Sequence, residues 1–453
     1  MLAAAAFGFL VLPRLVTHGT FMDGLWYDTI ARNQAIGAGS FWRPMFTPTI
    51  SPGSFADHPP LVFFLESLFF RAFGDHWWVG KLYGFATALV SAALIVRLWR
   101  ACGERRNAWL PVLFWLATPL VTWSFGNEML ENTMGLFQLG AAWAFLAAST
   151  RPGTRADALA ALAGALLYAA VLCKGVVAPF PLALPVMLSA LAGRGTVRGA
   201  LTQVFIAASV LAVLLWLTFQ LPEARDFAKR YLTTNFLPLA SGQRGGVDNR
   251  LHIVGKLALE LIPMLILGGL IAWFGRTREN APLGLSKAFL GTGLAGSLPL
   301  ALSPIQSGFY LVPSFAFFAL GFALLVEPRA QALVARLARF ERPLLLGTGV
   351  LLGAALAFAA SKAGTVGRGS PVLEDVRAIG KVVPPGTTVS VCPASHGEWS
   401  LHGYFMLYDR ITLDADSIDR EWFVVEAGAC APPPWYARVD VPTRRLALYR
   451  ATR

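Results

Sequence analysis

The residues of this 453-residue sequence best suited to chemistry are charged groups set between long apolar runs. The densest set is Asp23-Gly24-Leu25-Trp26-Tyr27-Asp28, followed by Asp57-His58-Pro59-Pro60-Leu61. A carboxylate held where an apolar helix meets water has its pKa raised by partial burial yet stays open to a hydroxyl, as a general base requires. Helix capping by Asp23 is the competing reading. Asp28 and Arg32, four residues apart, read as a surface helix pair.

Further along lies Asn127-Glu128-Met129-Leu130-Glu131-Asn132. Glu128 and Glu131 share one face if this turn is helical. Two carboxylates at a membrane boundary then repel unless a cation, a proton or a hydroxyl-bearing ligand separates them. A solvated loop acid followed by an acid at a helix start is the simpler alternative. Cations for a phosphate are also present. Lys174-Gly175 interrupts a long apolar run, and Arg244 and Arg250 lie near Gly242, Gly245 and Gly246. Several such groups together suit a lipid phosphate or polyphosphate, whereas Lys174 alone could simply snorkel at a helix end. Asp23, Glu128 and Glu131 could hold a divalent cation. No other cofactor is expected, because no nucleotide-binding glycine loop or zinc-protease motif occurs.

The elements that must position these groups follow from composition. The chain is 55% hydrophobic and 14% charged, with mean hydropathy +0.56, against about a quarter charged in soluble proteins. A soluble enzyme is excluded. Apolar segments at 2–16, 76–96, 108–123, 132–148, 156–173, 176–192, 199–219, 255–274, 286–303, 309–326 and 343–360 predict about 11 transmembrane helices. Alternate connections carry 15 basic and 5 acidic residues, which marks that face as cytoplasmic. The basic residues are short clusters between apolar runs, so no nucleic-acid surface is expected.

The opposite face carries the two long loops, 18–75 and 221–254. In the first, stretches 24–37 and 60–74 have helical apolar spacing but are too short to cross, and read as helices lying in the interface. All six histidines map to this outer side. From residue 361 the composition turns polar. Residues 361–453 predict a small α/β domain outside the membrane, with strands near 388–392, 422–426 and 445–450 and helices at 372–382 and 399–408. Cys392 and Cys430 could bridge there.

In this order the motifs resemble the membrane glycosyltransferases of the C-type fold, and within them the bacterial relatives of protein O-mannosyltransferases and of lipid A aminoarabinose transferase, a family 39-like group. Asp23-Gly24-x-x-Tyr27, His58-Pro59-Pro60-Leu61, Asn127-Glu128-x-x-Glu131, Lys174-Gly175 and Tyr310-Leu311-Val312-Pro313 carry the resemblance, over residues 2–326. It implies a polytopic membrane domain, 1–360, in a bacterial inner membrane, with its site on the periplasmic side. There a sugar on a polyprenyl phosphate is transferred, with inversion, to a glycan, lipid or protein acceptor. Asp23 would be the base and Glu131 the second acid. Tyr27, Asp57, His58, Glu128, Lys174, Arg244, Arg250 and Tyr310 would bind substrate. Two departures stand out: Gln306-Ser307-Gly308-Phe309 precedes Tyr310 where relatives commonly have a basic residue, and glutamate replaces the more frequent aspartate at the second acidic site. A transporter or flippase of a lipid-linked sugar is the rival reading, opposed by the lack of an internal repeat and of any acid clearly in mid-span.

Overall fold

A segment with no water to bond its backbone must pair its N–H and C=O groups internally, and each expected crossing is helical. The computed structural model describes residues 1–50, 54–103, 106–237 and 249–452. Among these, six helical segments are long and apolar enough to cross a membrane: Val79–Ala101, Thr154–Lys174, Val197–Thr218, His252–Phe274, Leu283–Leu302 and Gly308–Lys362. The last contains two helices, Val312–Leu337 and Glu341–Lys362. Of the other expected crossings, 132–148 is one continuous helix, Leu130–Ala148, and the remaining three are short or interrupted, with prolines at most breaks. Segment 2–16 divides into Leu2–Leu10 and Leu12–Leu15, segment 108–123 into Trp109–Leu116 and Pro119–Phe125, and segment 176–192 retains only Leu184–Ala192 after a 3-10 turn.

Large apolar side chains on the long helices face outward. Phe205, Trp216 and Trp273 are 72%, 62% and 72% exposed, a surface that lipid covers and water would not tolerate. Inward lie Trp99, Phe114, Phe145, Phe289, Phe315 and Phe317. An acid does lie well within a span, against expectation. Glu260, on His252–Phe274, pairs with Lys256 at 3.1 Å and accepts the Leu120 N–H at 3.0 Å. The break at Pro119 frees that N–H, and a carboxylate at the new helix start satisfies it.

The two short outer helices form as expected, at Met22–Ala35 and Leu61–Phe73. Asp28 and Arg32 are not the surface pair that their spacing suggests, since both are buried. Arg32 bonds Asp75 at 2.5 and 2.9 Å and donates to the Met406 carbonyl at 2.7 Å. Asp28 faces Glu66 on the neighbouring helix.

The C-terminal region folds around a five-stranded sheet in the order β2-β1-β3-β5-β4, where β1 is Thr388–Val391, β2 Thr412–Asp414, β3 Trp422–Glu426, β4 Tyr436–Val439 and β5 Leu446–Ala451. β1 runs parallel to β2 and β3, while β5 is antiparallel to β3 and β4. The parallel β1–β2 connection needs a crossover, and helix Trp399–Asp409 supplies it. Cys392 and Cys430 are bonded. The apolar core of this region continues into Leu25, Ala31, Phe70 and Val79, so the sheet domain and the first outer loop share one interior.

Candidate active site

Asp23 is the second residue of helix Met22–Ala35, and Phe21 occupies the cap position without a side-chain bond. Asp23 therefore does not cap. The Phe21 N–H is instead held by the Asn127 side chain at 2.8 Å, and Gly24 presses so close to the 126–129 turn that a Cβ there would sit 2.0 Å from the Asn127 carbonyl. A glycine at this position lets the helix start lie against the outer end of the neighbouring crossing, which brings Asp23 beside Glu131.

Glu131 lies in the first turn of Leu130–Ala148 and is fully buried. Its carboxylate accepts a hydrogen bond from Lys174, the last residue of Thr154–Lys174. The chain turns away there through Gly175 at φ +83, a conformation open to glycine. Lys174 Nζ also stands 4.7 Å from the Tyr310 ring centroid and 5.2 Å from that of Phe309. Burial pushes the Asp23 carboxyl up to about 6; Lys174 pulls it down and Glu131 pushes it further up.

Tyr27, one turn beyond Asp23, is fully buried, and its hydroxyl has no hydrogen-bond partner among the described residues. Its ring meets His58 edge-on at 5.6 Å. Burial, then Asp23, Glu131, Tyr310 and Asp57, raise its phenol pKa, which places all four around one hydroxyl. Tyr231 feels Tyr310 and Asp57 in the same way, and Asn235 donates to the Ala56 and Asp57 carbonyls at 3.2 and 3.4 Å. The second outer loop thus closes over the His58 turn.

The structure gathers Asp23, Tyr27, Asp57, His58, Glu131, Lys174 and Tyr310 into one site. Glu128 stands apart from it. Its backbone is left-handed at φ 50 and the helix starts only at Leu130, so Glu128 and Glu131 do not share a face. Glu128 pairs with Lys81 at 3.0 Å, and that lysine also donates to Thr20 and to the Gly126 carbonyl at 2.8 and 2.9 Å. Arg250 is exposed and donates to the Leu302 carbonyl at 3.1 Å. Arg244 lies outside the described residues. Gln306, at the departure from the late motif, accepts the Ile253 N–H at 2.9 Å and donates to the Arg250 carbonyl at 2.9 Å, so it pins backbone. Lys256 packs against Gly308 in the same turn.

Tyr231, Lys81 and Arg368 escape sequence reasoning. Arg368, in the link to the sheet domain, lies 4.9 Å from the Phe21 ring, two residues from Asp23, and no sequence signal connects positions so far apart. A divalent cation does not fit the three acids proposed for it, because Glu128 and Glu131 each face a lysine of their own. No cluster of three His, Cys, Asp or Glu suited to a metal occurs among the described residues.

Residues 57–219 match the family described as dolichyl-phosphate-mannose-protein mannosyltransferase, a stretch that includes His58, Glu131 and Lys174. ArnT from Cupriavidus metallidurans bound to undecaprenyl phosphate superposes with TM-score 0.66 at 15% identity, covering 98% of this chain and 96% of that one. The fold is that of a C-type membrane glycosyltransferase. ArnT in the apo state gives TM-score 0.63 at 14% identity over 98% and 95%. The Archaeoglobus fulgidus oligosaccharyltransferase AglB, in complex with an inhibitory peptide and a dolichol phosphate, gives 0.49 at 13% identity over 94% and 69%. No curated protein matches by sequence. Because the ArnT match spans nearly the whole of both chains, the likeness extends over the sheet domain as well as the crossings.

Proposed function

We propose that this chain is an integral-membrane glycosyltransferase that moves a sugar from a polyprenyl-phosphate carrier to a hydroxyl or phosphate of a glycan, lipid or protein acceptor, with Asp23 as general base. The observation that carries the reading is the Asp23 carboxyl, largely buried between Lys174 and Glu131 with its pKa near 6. Such a group is mostly ionised at pH 7 yet basic enough to take a proton in the transition state.

With a hydroxyl acceptor, Asp23 takes the O–H proton as that oxygen bonds to the anomeric carbon. The bond from that carbon to the carrier phosphate breaks, and its electron pair leaves with the phosphate. Attack opposite the leaving group inverts the configuration. The leaving phosphate is already anionic, so it needs cations rather than an acid. Lys174 supplies one, held in place by Glu131. Tyr27 and Tyr310 wall the site, and the unpaired Tyr27 hydroxyl is free to bond a sugar oxygen. The excess of basic residues on the opposite face supports an extracytoplasmic site in this reading, in a bacterial inner membrane.

Purified protein supplied with a polyprenyl-phosphate sugar and a cell-envelope acceptor fraction should form a covalent glycoside, and Asp23→Asn should not. Equal transfer by the variant would sink the assignment of the base. Movement of labelled carrier across a proteoliposome with no covalent product would instead support a flippase.

A further inference from the structure

On the arginine-rich face, opposite Asp23, a cavity of about 500 Å³ opens between the loop after Leu130–Ala148 and the start of Val197–Thr218. Arg151, Arg194 and Arg198 line it, with Asp157 as the one acid. Arg194 is committed to the Ala101 and Cys102 carbonyls at 3.3 and 2.9 Å. Arg151 and Arg198 are exposed and make no ion pair among the described residues. The cavity also takes in the first turns of a 22-residue helix; Thr196 takes the Gly199 N–H at 3.0 Å, and the positive end of the helix still favours an anion.

A separate observation points to an occupant. Gln203 lines the same cavity, is only 7% exposed, and its Oε1 has no hydrogen-bond partner among the described residues. A buried amide left unpaired is costly, so this one calls for a polar ligand group. Beside it, Val197, Leu201 and Phe205 are 61%, 56% and 72% exposed. Their spacing of four places them in one stripe, which starts in the same helical turns as the cavity and runs into the apolar zone. Two free cations, a helix start, a buried acceptor and a lipid-facing stripe together match one amphiphile.

We infer that this cavity binds the headgroup of an anionic glycerophospholipid of the inner leaflet. Its phosphodiester lies between Arg151 and Arg198, a headgroup hydroxyl donates to Gln203 Oε1, and its acyl chains follow the Val197–Leu201–Phe205 stripe. The site is independent of sugar transfer. Three arginines against Asp157 select an anionic over a zwitterionic lipid.

The test uses the delipidated full chain in detergent, titrated with phosphatidylglycerol, phosphatidylethanolamine or inorganic phosphate and read by native mass spectrometry. Phosphatidylglycerol should bind in preference to phosphatidylethanolamine. Arg151→Gln/Arg198→Gln should weaken it about 30-fold, each cation near a membrane surface being worth about fivefold. Gln203→Leu, which removes no charge, should weaken it severalfold and leaves the result readable if the double variant folds poorly. Unchanged phosphatidylglycerol binding in these variants overturns the site. Displacement of the lipid by millimolar inorganic phosphate overturns its assignment to a lipid.

Discussion

Lys174 closes one crossing and donates to Glu131 at the start of another, and the two act in opposite senses on Asp23. Removing the lysine leaves a buried carboxylate without its partner, at a cost of about 3–5 kcal/mol. Lys174→Met should therefore lower the thermal midpoint sharply and abolish donor use. Lys174→Met/Glu131→Gln should recover most of the stability and none of the transfer. A double variant that regains transfer would show that neither residue serves the phosphate.

The pH profile of transfer should report Asp23. With its ionised form as the proposed base, kcat/KM should fall tenfold per unit below about pH 6 and level off above it. Asp23→Asn should lose at least 100-fold in rate.

The same substitution should stabilise the fold at pH 8. The folded pKa near 6 exceeds the ordinary 3.8, so burial penalises the ionised carboxylate, and the penalty is complete above about 6 and absent below 3.8. An asparagine removes about 1–3 kcal/mol of it. Thermal unfolding in detergent at pH 4 and pH 8 checks this, with the variant gaining only at the higher value.

Asp28 and Glu66 form a second sensitive pair. Both are buried, and Glu66 is pushed up to about 8, first by burial and also by Glu128. Its folded pKa lies above the unfolded 4.5, so its contribution to stability is complete below 4.5 and is lost as pH rises toward 8. Glu66→Gln should flatten the stability profile over that window. An unchanged slope would mean that other groups set it.

The bond between Cys392 and Cys430 closes a 38-residue separation. A loop of that length is worth about 3–4 kcal/mol, so Cys392→Ser/Cys430→Ser should unfold the sheet domain at lower temperature. Reductant should reproduce the loss in the wild type and leave the variant unmoved.

Local pattern was legible in the sequence, and distant pairing was not. The outer helix bearing Asp23, the polar tail and strand Trp422–Glu426 all follow from periodicity and composition. The spacing of Glu128 and Glu131 misleads because a left-handed backbone at Glu128 turns the two apart. Asp28 and Arg32 read as surface residues because the chain that covers them, around Met406, comes far later. Arg250 has the right type for a phosphate, but its guanidinium is held by the Leu302 carbonyl.

Three contacts bind the outer helix of Asp23 to the sheet domain: Trp26 against Trp399 at 4.6 Å, Leu25 against Gly403, and Arg32 with the Met406 carbonyl. Arg32 precedes Met406 by 374 residues, so during synthesis the helix waits with one apolar flank bare until its covering is made. The Asp23 carboxylate therefore reaches its final surroundings only once the sheet domain has folded back over that helix.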